Sequence, residues 1–160
     1  MQRITLLLGL LAFANADSIP FTSCGGDGSL TASSIDITPY PAEEGKTVDI
    51  TIAANTKEQI TDGKIDLELS LFGVKVFTVK DDVCKEATCP VAIGDFNLKT
   101  SQPLPSLGVS ATIGVKAVIT DQNSKEVGCF QLELKVEKAQ TMFEKTKNAL
   151  GFGRKGLFGR

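Results

Sequence analysis

The chain has 160 residues, of which 42% are hydrophobic and 22% are charged, and it contains four Cys but no His and no Trp. This length and composition predict one packed domain. The absence of His excludes Ser–His–Asp and Cys–His catalytic sets and His-ligated metal sites. We therefore expect a protein that is not an enzyme and that needs neither a cofactor nor a metal.

The first 16 residues have the pattern of a secretory signal peptide. Arg3 supplies a positive charge, residues 4–13 form an uncharged apolar run, and Ala14-Asn15-Ala16 matches a cleavage site. The apolar run is shorter than the roughly 20 residues that a membrane-spanning helix needs. We therefore expect a mature chain that starts at Asp17 and is secreted or delivered to the lumen of a lysosome or vacuole.

Most of the chain after residue 16 alternates between apolar and polar side chains, which predicts β-strands with one buried face. Between residues 71 and 79 the alternation changes phase, which predicts a bulge or bend at a strand end. The alternating stretches lie around residues 35–37, 48–54, 65–71, 74–79, 96–98, 113–119 and 130–136. About seven such strands predict an all-β fold, an immunoglobulin-like antiparallel β-sandwich, and no helix is expected before Lys138.

Turn-forming residues separate these strands. Pro39 and Pro41 predict the end of the first strand, and Glu43-Glu44-Gly45 predicts a turn into the second. Asp62-Gly63 and residues 121–124 each predict a hairpin.

The four Cys of a secreted domain predict two disulfides. Cys84 and Cys89 are close enough in sequence to close a small loop, which leaves Cys24 to pair with Cys129. The longer bridge would contribute about 4–5 kcal/mol by restricting the unfolded chain. One close pair beside two distant Cys does not have the spacing of a zinc site.

Charge divides the chain into an acidic body and a basic tail. Residues 17–137 contain ten Lys against 18 Asp and Glu, a net charge of −8, whereas residues 138–160 have six basic residues and one acidic residue, a net charge of +5. The acidic body argues against nucleic acid as a partner. The tail is predicted to be a short helix over 139–150 or disordered, and its basic residues favour transient contact with a membrane surface.

Several short strings occur in a fixed order along the body and carry a family resemblance. They are Phe21-Thr22-Ser23-Cys24-Gly25, ITPYPAEEGKTVDITI at 37–52, Cys84…Cys89-Pro90, Gly94-Asp95-Phe96, Ile119-Thr120-Asp121 and Gly128-Cys129-Phe130. In this order they resemble the ML lipid-recognition domain family. That family includes the Niemann–Pick cholesterol carrier of lysosomes, the group-two mite allergens and the fungal phosphatidylglycerol/phosphatidylinositol transfer proteins, and the fungal branch is the most similar. One departure is that Pro39-Tyr40-Pro41 stands, without Cys, where animal carriers commonly have a further small disulfide.

The resemblance implies a lipid-binding domain over residues 17–137, with a lipid cavity between the two sheets. It implies that a monomer extracts a phospholipid or a sterol and transfers it between membranes. Two alternatives stay open: an extracellular recognition module with a solid core, and an accessory protein that presents lipid to a receptor or hydrolase.

On this resemblance, inward-facing apolar residues are expected to line the cavity. Segments 71–77 and 104–109 are expected to form its mouth, where Lys75 or Lys80 would contact a lipid headgroup. The candidate lipid-binding residues are Ile50, Ile52, Leu67, Leu69, Phe72, Phe77, Phe96, Leu98, Ile113, Val115, Ile119, Phe130 and Leu132.

Overall fold

A computed structural model describes residues 17–140. The predicted signal peptide and the tail beyond residue 140 lie outside the described residues. Among those described, no helix has the length and apolar character needed to cross a bilayer. The elements are β1 (Asp17–Ser18), β2 (Phe21–Gly25), β3 (Leu30–Thr38), β4 (Ala42–Glu43), β5 (Thr47–Thr56), β6 (Gly63–Leu71), β7 (Val74–Asp82), α1 (Val83–Glu86), β8 (Gly94–Pro103), β9 (Ala111–Asp121) and β10 (Glu126–Glu137).

The strands form two sheets that pack face to face. One sheet has the order β1-β3-β5-β8, and the other has the order β2-β10-β9-β6-β7. All these neighbours pair antiparallel, and the short strand β4 adds a parallel pairing to β10. The seven strands of nine or more residues and the two-sheet arrangement confirm the predicted β-sandwich.

Alternation along the strands builds the core between the sheets. Ile35 and Ile37 of β3 are fully buried from one sheet, and Ile119 and Leu134 are buried from the other. Residues that alternate with these in a strand face outward; Glu133, next to Leu134, is exposed. The core therefore lies between the two sheets, as a period of two requires.

Both predicted disulfides are present. Cys24 of β2 bonds to Cys129 of β10, with their Cα atoms 5.0 Å apart, so this bridge lies within one sheet. Cys84 and Cys89 close the loop that contains α1. This helix corrects the expectation that none occurs before Lys138: the side chain of Asp82 caps its first turn by accepting a hydrogen bond from the backbone amide of Cys84.

The predicted turns are confirmed except for one. Strand β3 ends just before Pro39, and residues 121–124 form the β9–β10 turn, where Asp121 accepts hydrogen bonds from the backbone amides of Asn123 and Lys125. The hairpin expected at Asp62-Gly63 is wrong because β5 and β6 lie in different sheets. The chain crosses between the sheets there.

The two long sides of the sandwich differ in how the sheets are joined. On the closed side, consecutive strands β1 and β2 belong to different sheets, and β4, which lies between β3 and β5 in sequence, pairs with β10. On the open side, β7 and β8 are the edge strands of their respective sheets. On the open side no strand pairing joins β7 to β8, although the chain connects them through α1 and the Cys84–Cys89 loop at one end.

Candidate functional site

An apolar gap lies between the sheets on the open side. It encloses about 40 Å³, whereas pockets that bind small molecules typically measure about 300–1,000 Å³. A lipid chain therefore enters only if the side chains or the sheets move apart. Its lining comes from both sheets and from the segment after β8: Val48, Ile50, Leu67, Leu69, Phe77, Val79, Gln102, Pro103, Leu104, Pro105, Val115 and Leu134.

The structure brings five of the predicted lipid-binding residues together at this gap. They are Ile50, Leu67, Leu69, Phe77 and Val115. Most of the others are buried in the packed core or pack against it: Ile52, Phe96, Leu98, Ile113, Ile119, Phe130 and Leu132. Phe72 does not line the gap, because it lies in the β6–β7 turn with 86% of its surface exposed. Contact of any of these residues with lipid stays a prediction.

Several lining residues were not among the candidates. Val48 and Leu134 have the same sequence parity as Ile50 and Leu132, so the alternation could have identified them. Val79 has the same parity as the candidate Phe77, on the same side of the register shift between β6 and β7, so alternation could have identified it too. Gln102 is polar and Pro103 is disfavoured inside a strand, so the alternation of apolar residues does not identify either as part of the lining.

The predicted mouth segment 104–109 is held beside the gap by a buried carboxylate. Glu44 is only 6% exposed, and its Oε2 accepts hydrogen bonds from the backbone amides of Leu107 and Gly108, each at 2.6 Å. Its Oε1 accepts a third bond, from the backbone amide of Ala139 at 3.3 Å. One side chain therefore fixes both this segment and the residues that follow β10.

The same contacts determine the ionisation of Glu44. Burial of the carboxylate raises its pKa, but the hydrogen bonds from Gly108, Leu107 and Ala139 together outweigh that effect and lower the pKa below its ordinary value of 4.5. The negative charge of Glu44 is thus stabilised by the loop that it holds.

A polar cluster lies where β7 and β8 approach each other. Gln102 of β8 donates hydrogen bonds to Asp81 of β7 at 3.5 Å and to Thr100 at 2.8 Å. Burial raises the pKa of Glu86 on α1, and the neighbouring Asp81 carboxylate raises it further. Because Gln102 also lines the gap, this cluster is its polar boundary.

The described residues thus form a β-sandwich with two disulfides and an apolar gap between the edges of its two sheets. The chain belongs to the ML domain family, whose model matches residues 18–136. This confirms the resemblance that the sequence strings indicated.

Individual relatives extend the comparison. A Dictyostelium discoideum protein named after phosphatidylglycerol/phosphatidylinositol transfer is 29% identical over 149 residues, which cover 84% of this chain and 99% of that relative. The MD-2-related lipid-recognition protein ROSY1 of Arabidopsis thaliana is 32% identical over 131 residues, covering 78% of this chain and 82% of the relative. A solved Niemann-Pick type C2 protein from Japanese carpenter ant has 14% identity and a TM-score of 0.62, covers 74% of this chain and 99% of its own, and thus shows the same fold.

Proposed function

We propose that this protein binds a lipid in the gap on the open side and transfers it between membranes. The observation that carries the proposal is that apolar residues from both sheets converge there, between two edge strands that no backbone pairing joins. Family membership and relatives named for lipid recognition or phospholipid transfer support the same function.

The energetics of lipid transfer explain why an apolar gap is sufficient. Each CH₂ group that leaves hydrocarbon for water costs about 0.8 kcal/mol, so a 16-carbon chain costs roughly 12 kcal/mol. A chain that moves from the bilayer into an apolar interior avoids most of that cost. The protein therefore needs no chemical step, and the proposal includes no catalytic activity.

The gap has to widen from about 40 Å³ before it holds a chain. Separation of β7 from β8 breaks no strand pairing, because each is the last strand of its sheet. The contact between Gln102 and Asp81 and the packing of Phe77 and Val79 link the two edges, in addition to the chain connection through α1. Uptake of lipid therefore exchanges side-chain packing for contact with the ligand.

We favour a phospholipid over a sterol as the ligand, because the Dictyostelium relative is named for phospholipid transfer and aligns over 99% of its own length. The proposed setting is the extracellular space or the lumen of a lysosome or vacuole, which the two disulfides support. The protein is proposed to act as a monomer.

Native mass spectrometry with lipid identification tests this function directly. Protein from a secretory host should carry one phospholipid, and it should exchange that lipid with vesicles. A sterol in its place would change the ligand but keep the function. An unchanged apo mass after incubation with mixed vesicles would overturn the proposal and favour a recognition module. Bound lipid without exchange unless a protein partner is added would favour the accessory role.

A matched pair of variants on β9 localises the ligand. Val115 lines the gap, whereas Val118 is outside its lining and faces the other way on the same strand. Val115→Trp should fill the gap and reduce the bound lipid severalfold, and Val118→Trp should leave the lipid content unchanged. Equal lipid content in the two variants would contradict this location.

A further inference from the structure

The turn between β6 and β7 exposes apolar side chains that have no role in packing. Phe72 is 86% exposed and Val74 is 65% exposed. We call Phe72, Gly73 and Val74 the β6–β7 tip. Single exposed apolar residues are common, but adjacent large ones form a patch that needs a partner to cover it.

The backbone at this tip makes Phe72 a poor choice for folding alone. Leu71 pairs with Val74, so Phe72 and Gly73 form a two-residue turn, with φ angles of 52° and 79°. Two positive φ values define a type I′ turn, for which Asn-Gly is the preferred sequence. A bulky residue with positive φ is unusual and costs free energy. The exposed Phe therefore lowers the stability of the turn without contributing to the core.

A bulge makes the tip continuous with the gap. Leu69 opposes Phe77 and Ser70 opposes Lys75, so Val76 is the extra residue of β7. The shift puts Val74 opposite Leu71, on the same face of the hairpin as Phe77 and Leu69. Because Phe77 and Leu69 line the gap, one apolar face extends from the tip to the gap lining.

The charges around the tip favour an uncharged surface as its partner. The ammonium group of Lys75 pairs with Glu68 at 2.5 Å, and that of Lys80 lies 3.7 Å from Asp66. Both lysines of β7 are thus balanced by carboxylates, and the body has a net charge of −8. Hydrocarbon fits this apolar tip better than anionic headgroups do.

We propose that the β6–β7 tip docks on a lipid bilayer by inserting Phe72 and Val74 at the interface. The inference rests on the proposed lipid transfer and adds the surface through which it occurs. Docking in this orientation puts the apolar face of the hairpin against the bilayer. A lipid chain can then move along Val74 and Phe77 into the gap without crossing water.

The absence of Trp from the chain allows a direct test. Phe72→Trp introduces the only Trp of the protein at the tip. With vesicles of phosphatidylcholine carrying brominated acyl chains, its emission should shift to shorter wavelength and be quenched. High salt should leave both effects unchanged, because insertion is apolar. An emission spectrum unaffected by vesicles would overturn the proposal.

Ile93→Trp is the matched control. Ile93 is 68% exposed and precedes Gly94, which pairs with Thr56 at the far end of the sandwich from the tip. Its Trp should be neither shifted nor quenched. Equal quenching in the two variants would overturn docking through the tip and indicate unspecific adsorption.

A second variant separates docking from lipid binding. Phe72→Asn suits the positive φ of the turn and removes the inserted ring, and we expect its vesicle affinity to fall about tenfold or more. Unchanged affinity would overturn the docking proposal.

The outcomes for docking and for lipid binding are distinguishable. If the unmodified protein carries bound lipid but the Trp of Phe72→Trp does not insert into vesicles, docking alone is overturned. If the Trp of Phe72→Trp inserts into vesicles but the protein never carries a bound lipid, docking is supported and the proposed function is overturned. Transfer that requires a second protein, with no insertion of the probe, would overturn a bilayer as the partner of the tip.

Discussion

The carboxylate of Glu44 accepts a hydrogen bond from the backbone amide of Gly108 at 2.6 Å. Glu44 belongs to the turn before β5, and Gly108 belongs to the segment after β8 that contributes Leu104 and Pro105 to the gap lining. The backbone amide of Leu104 also donates to Lys46 at 2.8 Å. The turn before β5 thus sets the position of one wall of the candidate site.

Replacement of Glu44 is expected to change how stability depends on pH. Its pKa is lowered in the folded protein, so its contribution to stability is present above the ordinary pKa of 4.5 and is lost as the pH falls through the lower folded value. Glu44→Gln should therefore melt at a lower temperature than the unmodified protein at pH 7, and the difference should shrink below pH 4.5. Thermal unfolding followed by circular dichroism measures both.

Glu43→Gln is the control for that prediction. Glu43 adjoins Glu44 in sequence, but its side chain takes part in none of the three hydrogen bonds that the Glu44 carboxylate accepts. The melting temperature of Glu43→Gln should match that of the unmodified protein at every pH. If Glu44→Gln and Glu43→Gln gave the same profile, the anchoring role of Glu44 would be wrong.

Glu86 should show the opposite dependence on pH. Its pKa is raised by burial and by the adjacent Asp81, so its charged form costs stability in the folded protein at pH values above that raised pKa. Glu86→Gln should raise the melting temperature at pH 7, and the gain should disappear as the pH falls through the raised pKa. Glu133→Gln, on the exposed face of β10, should show no such gain. A gain that persisted at low pH would point to packing rather than charge.

Phe72→Asn is predicted to stabilise the fold while it weakens membrane docking. Asn tolerates positive φ better than Phe does, and relief of the unfavourable conformation is worth about 1 kcal/mol. Chemical denaturation should show a higher midpoint with an unchanged slope. Gly73→Ala should have the opposite effect, because φ is 79° there. A lower midpoint for Phe72→Asn would mean that the ring supports the folded hairpin.

The basic tail and the β6–β7 tip are predicted to respond to different membranes. Removal of residues 141–160 keeps the contact between Ala139 and Glu44 but deletes most of the positive charge of the tail. Lipid exchange with anionic vesicles should slow, and exchange with neutral vesicles should not change. Phe72→Asn should slow both. Fluorescent-lipid transfer at two salt concentrations measures these rates, and equal rates for the shortened and full chains on anionic vesicles would exclude a role for the tail.

The alternation of apolar residues was enough to predict the sandwich, because a period of two assigns each side chain to a face. Ile50, Leu69 and Val115 fall on the interior face by this rule, and they line the gap. The Cys pairing followed from the short separation of Cys84 and Cys89, which left one partner for Cys24.

Other features depend on relationships that alternation does not contain. The alternation of apolar residues assigns side chains to a face but does not determine the distance between two sheets, so it does not predict the volume of the gap. The bulge at Val76 changed the face of Val74 relative to Phe77. Asp62-Gly63 has the composition of a hairpin turn, but a Cβ at Gly63 would lie 2.5 Å from the carbonyl oxygen of Thr120, so close packing also explains this glycine. Helix α1, with four residues, is too short to show a helical period.

The location of the Cys24–Cys129 bridge has a consequence for how ligand preference can change. Both partners belong to one sheet, the second bridge closes a local loop, and the four Cys of the chain are all used. No disulfide therefore bridges a strand of one sheet to a strand of the other. Substitutions along β7 and β8 can therefore change the width of the gap, and with it the size of the ligand that fits, while both disulfides are kept.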